Sequence, residues 1–104
     1  MANNMMNMQQ LMKQAQKMQK QMEATQNDLK KQTFTGTEPS GMIEVTATGN
    51  KKITAIKIKP EAIDPDDPDM LEDLVLTAVN NALGKVDAAT KQQLGAFTKG
   101  IPGF

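Results

Sequence analysis

The residues able to do chemistry in this chain are its lysines and carboxylates, and little else. The sequence has no His, Cys, Tyr, Trp or Arg, and Ser40 is its only serine. A Ser-His-Asp triad and a thiol nucleophile are therefore impossible, and the usual general base near neutral pH is missing. The composition argues against an enzyme. What the lysines offer instead is a pattern. Lys13, Lys17, Lys20, Ala24, Asn27 and Lys31 recur at alternating spacings of four and three residues, which places them in one row along a helix. Lysine binds phosphate as a point charge, whereas arginine supplies the planar fork that reads guanine edges. A lysine-only row thus suits a polyanion backbone and not base readout. Taken alone, such a row is more often simply the solvated side of a surface helix.

The carboxylates form a cluster of their own. Residues 61–73 hold seven acids and no cation. A calcium-loop reading with Asp64 as first ligand fails, because Pro68 falls at the fifth position, Asp69 replaces the required glycine and Val75 the closing glutamate. A helix start accounts for the run better, with Asp67 as N-cap, Pro68 in the first helical position and acids against the helix dipole. A metal-dependent hydrolase built on these acids is the weakest of the functional alternatives. No metal and no cofactor are expected.

The net charge is zero, yet residues 1–60 carry nine lysines against four acids, and residues 61–104 three lysines against eight acids. Such asymmetry points to nucleic acid or another acidic surface as the partner of the first half. The absence of cysteine fits a reducing compartment. The longest aliphatic run is Leu74-Val75-Leu76, too short for a membrane span or a signal peptide. A cytoplasmic protein is expected, with no membrane and no small-molecule substrate.

The elements that must position these charges follow from periodicity. Opposite the lysine row, Met8, Leu11, Ala15, Met18, Met22, Thr25 and Leu29 alternate three and four apart, the seam of an amphipathic helix or short coiled coil. This predicts a first helix over about residues 7–31, roughly 40 Å long, of which part must project or pair with another chain. Strands are predicted at about 32–36, 42–48 and 53–59. In the second, Ile43, Val45 and Ala47 share one face; in the third, Thr54, Ile56 and Ile58 do. Gly49-Asn50 signals the hairpin turn, and Pro60 ends the last strand. A second helix over about 68–98 has Leu71, Leu74, Val75, Ala78, Ala82 and Val86 on its apolar side, with Gly84 marking close packing or a bend. Residues 99–104 form a tail. The expectation is one α+β domain over residues 1–104, in the order α-β-β-β-α, with a three-stranded antiparallel meander covered by helix. At 104 residues and 38% hydrophobic content, oligomerisation would complete the burial.

In this order and with these words, the chain resembles the YbaB/EbfC family of bacterial nucleoid-associated proteins. The matching stretches are Leu11-Met12-Lys13-Gln14-Ala15-Gln16-Lys17-Met18-Gln19, the turn between Gly36 and Gly41, Pro60, Met70-Leu71-Glu72-Asp73-Leu74-Val75 with Ala78, Asn80 and Ala82, and the closing Pro102-Gly103-Phe104. The resemblance implies a homodimer with projecting helical arms, double-stranded DNA as partner, a nucleoid location and a role in chromosome organisation or gene regulation. Lys13 and Lys17 lie within the matching words; Lys20, Lys30 and Lys31 are nominated for DNA by charge and position, with Lys51, Lys52, Lys91 and Lys99 as weaker candidates. Candidates for the dimer interface are Met18, Met22, Leu29, Leu74, Ala78 and Ala82. The competing function is a dimeric protein–protein adaptor with no direct DNA contact.

Overall fold

The computed structural model describes the backbone of residues 2–98 and the side chains of residues 7–95. The order is α1 (Ala2–Lys31), β1 (Thr33–Thr37), β2 (Ile43–Thr48), β3 (Ile53–Ile58), a single 3-10 turn (Pro60–Ala62) and α2 (Pro68–Thr98). The expected α-β-β-β-α architecture is the one observed. Helix α1 starts earlier than the periodicity predicts, since no glycine or proline interrupts residues 2–6. Helix α2 starts as predicted: the Asp67 carboxylate accepts the backbone N–H of Met70 at 3.2 Å, satisfying one of the orphan donors of the first turn. Asp64 accepts the N–H of Asp66 at 2.9 Å, so part of the acidic run is spent on turning the chain into the helix.

The strands form one antiparallel sheet in the order β1-β2-β3. Ile43, Val45 and Ala47 are fully buried under α2, where they meet Ala78, Ala82 and Val86. The approach is closest at Gly36 of β1. A Cβ there would lie 2.3 Å from the Ala82 nitrogen and 2.7 Å from the Ala78 carbonyl oxygen, so the helix backbone rests directly on the strand. Gly49 serves the other helix in the same way, because a Cβ would lie 1.7 Å from the Leu29 carbonyl oxygen. The positive φ of the β2–β3 hairpin falls on Lys51, at 64°, and not on Gly49; that glycine is required by packing. Gly84, expected at a close contact or bend, instead faces open space.

Two further features depart from the sequence expectation. Thr46 pairs with Ala55 and Ala47 with Ile53, so an irregularity inserts Thr54 as an extra residue. Ile53, rather than Thr54, therefore stands opposite the core residue Ala47. The second departure is lateral. Helix α2 lies over β1 and β2, while every residue of β3 is exposed. Ile56 and Ile58 stand opposite Val45 and Ile43 and share their face of the sheet, yet they remain 46% and 38% accessible.

The loop between β1 and β2 is held by one side chain. Glu38 is buried, and its carboxylate accepts the Ser40 hydroxyl at 2.5 Å and the Ser40 N–H at 2.7 Å. It also accepts the N–H groups of Met42 at 2.6 Å and Ile43 at 3.1 Å. The Ser40 hydroxyl, aided by these backbone donors and opposed by burial, holds the Glu38 pKa below the ordinary glutamate value.

Candidate nucleic-acid interface

Among the described residues, helix α1 is anchored only at its C-terminal end. Leu29 is buried, and the Gln32 and Gln93 side-chain amides exchange hydrogen bonds at 3.3 and 3.0 Å. Every residue from Asn7 to Gln21 is exposed. The molecule measures 80 × 24 × 15 Å. Since each long helix is about 45 Å, the two lie nearly end to end, and α1 leaves the body as an arm.

Lys13, Lys17 and Lys20 lie on this arm, all exposed, within about 10.5 Å along the axis. Among the described residues, none of them makes an ion pair. Lys30 and Lys31 continue the cationic surface to the root, where they also complement the helix C-terminus. The weaker candidates divide. Lys51 pairs with Asp87 at 3.0 Å, so it is partly neutralised, while Lys52 is exposed beside it. Lys91 is exposed on α2, and Lys99 lies outside the described residues. Lys85, which was not a candidate, donates to the Thr35 carbonyl of the edge strand at 2.7 Å.

The dimer candidates are redistributed by the packing. Leu29, Ala78 and Ala82 are buried within the protomer: the alanines seat α2 on Gly36, and Leu29 seats α1 on the hairpin. They present no surface to a partner. Leu74 is half-buried and Met22 nearly so, leaving Met18, at 42% accessible, as the exposed member of the set. The apolar surface that is open lies elsewhere. On the body it comprises Ile53, Ile56 and Ile58 of β3, Ile63, and Leu76 of α2; Leu76 also lines a shallow depression on α2 with Leu71, Glu72, Val75 and Val79. The strand signal for Ile56 and Ile58 was legible; that α2 would stop short of them was not.

The described residues thus form a small α+β body bearing an exposed, lysine-lined helical arm. The sequence signature of the YbaB/EbfC DNA-binding family matches residues 5–101. A nucleoid-associated protein of Lactobacillus delbrueckii subsp. bulgaricus is 55% identical over 96 residues, covering 92% of this chain and 88% of the relative. A nucleoid-associated protein of Lactococcus lactis subsp. lactis is 47% identical over 98 residues, covering 94% and 99%. The crystal structure of an uncharacterized protein from Helicobacter pylori shares the fold, with a TM-score of 0.71 at 18% identity over 85% of this chain and 92% of that one. The chain belongs to the YbaB/EbfC DNA-binding family.

Proposed function

We propose that the protein is a nucleoid-associated homodimer that binds the phosphate backbone of double-stranded DNA through its α1 arm. The observation that carries this reading is the exposed row of Lys13, Lys17 and Lys20 on a helix free of the body. The mechanism is counterion release: each lysine that meets a phosphate displaces condensed cations, so affinity falls steeply with salt. With no arginine in the chain, base discrimination is weak and binding is nearly uniform across sequences. Such binding suits the organisation of a chromosome or broad effects on gene expression, and the relatives' names support the nucleoid setting.

The homodimer part rests on the body. The exposed isoleucines of β3 and the exposed apolar residues of α2 are surface of the kind monomers rarely leave open, and a second copy would cover it by a two-fold, self-complementary contact. This leaves both arms outside the interface.

The test is a charge reversal of Lys13, Lys17 and Lys20 to Glu. Loss of duplex retention at low salt, with the sedimentation mass unchanged, supports the reading. Undiminished retention would sink it, and binding of a protein partner that survives high salt would favour the adaptor alternative.

A further inference from the structure

The oxidisable side chains of this protein are concentrated on the arm. With no Cys, His, Trp or Tyr, the chain meets two-electron oxidants through its methionine thioethers. Seven of its nine methionines fall within the first 22 residues. Met8, Met12 and Met18 are 64%, 61% and 42% accessible, whereas Met22, Met42 and Met70 are half-buried. From the structure we infer that Met8, Met12 and Met18 form a redox modification site, whose conversion to sulfoxides by hydroperoxides loosens the arm helix.

The step needs only an exposed thioether and the oxidant. A sulfur lone pair attacks one peroxide oxygen, the O–O bond breaks and an S–O bond forms. Sulfur gives up two electrons, and the second oxygen takes up the released proton and leaves as water, or as an alcohol from an organic hydroperoxide. A flexible apolar side chain thereby becomes a polar, chiral one, and enzymatic reduction of the sulfoxide restores it.

The arm is the part of the fold least able to absorb this change. Residues 7–21 are all exposed, so burial against the body does not support them. Their helicity rests on side-chain propensity and on propagation from the anchored root. Methionine is a good helix former, and Met8 with Met12, like Met18 with Met22, stands four residues apart, where apolar pairs support a helix. A sulfoxide removes that apolar pairing and adds an acceptor that competes with backbone carbonyls for N–H groups. The lysine row depends on the same helix, because Lys13, Lys17 and Lys20 align only while the arm is helical. On the DNA reading of the preceding subsection, oxidation disperses the row and weakens duplex binding; the modification itself does not depend on that reading.

The test treats the full-length protein with hydrogen peroxide, maps the sulfoxides by mass spectrometry and follows helicity by circular dichroism. Met8, Met12 and Met18 should oxidise at least about three-fold faster than Met42 and Met70, in keeping with their exposure. Residues 7–21 make up about a quarter of the two helices, so the helical signal should fall by up to about a quarter. Methionine sulfoxide reductases should restore it. A chain carrying Met8→Leu, Met12→Leu and Met18→Leu, similar in side-chain volume and helix propensity, should keep its helicity under the same oxidant. Equal oxidation rates at all five methionines overturn the inference, as does oxidation without loss of helicity or the same loss in the triple leucine chain. Anisotropy on a labelled duplex before and after oxidation is a separate readout. A chain that fails to bind duplex even when unoxidised removes the DNA reading, and the mapping and dichroism still decide the modification site.

Discussion

Replacing Lys13, Lys17 and Lys20 by Gln removes the charge without introducing repulsion, and the consequence can be worked from the structure. Lys13 and Lys20 are separated by about 10.5 Å of helix, and about 10 Å of duplex carries about six phosphate charges. Each of the three lysines can therefore reach its own phosphate. Every contact contributes about −0.9 to the slope of log affinity against log salt, so the triple variant loses about 2.7 from that slope per engaged arm. Between 50 and 200 mM salt, the deficit of the variant relative to wild type should then shrink by about 40-fold. Fluorescence anisotropy on a labelled mixed-sequence duplex at four salt concentrations measures this. An affinity that falls with an unaltered slope would refute the reasoning, because the lysines would then act through folding or packing and not by releasing counterions.

On the body, Ile56→Glu places a charge in the open β3 face and should convert the proposed dimer to monomer in sedimentation equilibrium with its helical circular dichroism retained. Gly36→Ala forces a Cβ to 2.3 Å from the Ala82 nitrogen, and should cost at least about 1–3 kcal/mol in urea unfolding. Gly84→Ala meets open space and should stabilise by about 0.5–1 kcal/mol in the same assay. The Glu38 clasp should show in acid. Its pKa is lowered in the folded chain, so its contribution is fully present above the unfolded value of about 4.3 and is lost as pH falls through the folded value. Glu38→Gln should flatten the stability profile in that window when melting is followed between about pH 2 and pH 6.

What was legible in the sequence was local. Asp67-Pro68 announced the start of α2 because a cap and a proline act within one turn. The alternation of Ile43, Val45 and Ala47 announced β2 because burial follows the pleat. The lysine row needed only the helical repeat. What stayed hidden depends on how elements slide past each other. Nothing near Ile56 reveals that α2 stops over β2, and nothing near Ala78 and Ala82 reveals that their small size serves the chain's own Gly36. Glu38 reads as a loop residue until four donors are seen converging on its carboxylate. Thr54 reads as a core position because alternation cannot register an inserted residue. Leu29, Ala78 and Ala82, nominated for an interface by their periodicity, are buried within the protomer.

The fold also resolves the apparent conflict in the charges. A chain with zero net charge and seven acids within residues 61–73 would be a poor ligand for DNA if those acids lay near the lysines. They do not. The acids cluster at the start of α2, whereas the arm leaves from beside Thr90 and Gln93 near its far end. With the helices laid nearly end to end, Lys20 is more than about 40 Å from Asp69, several times the Debye length of about 8–10 Å at physiological ionic strength. A phosphate at the arm tip experiences the lysines and not the carboxylates. The length of the molecule is thus what allows a neutral chain to present a cationic surface. A variant that moved charge from one end to the other at constant net charge, such as Lys13→Glu with Asp69→Lys, should weaken duplex binding about as much as Lys13→Glu alone. Restoration of binding by Asp69→Lys would show that net charge, and not its placement, governs the contact.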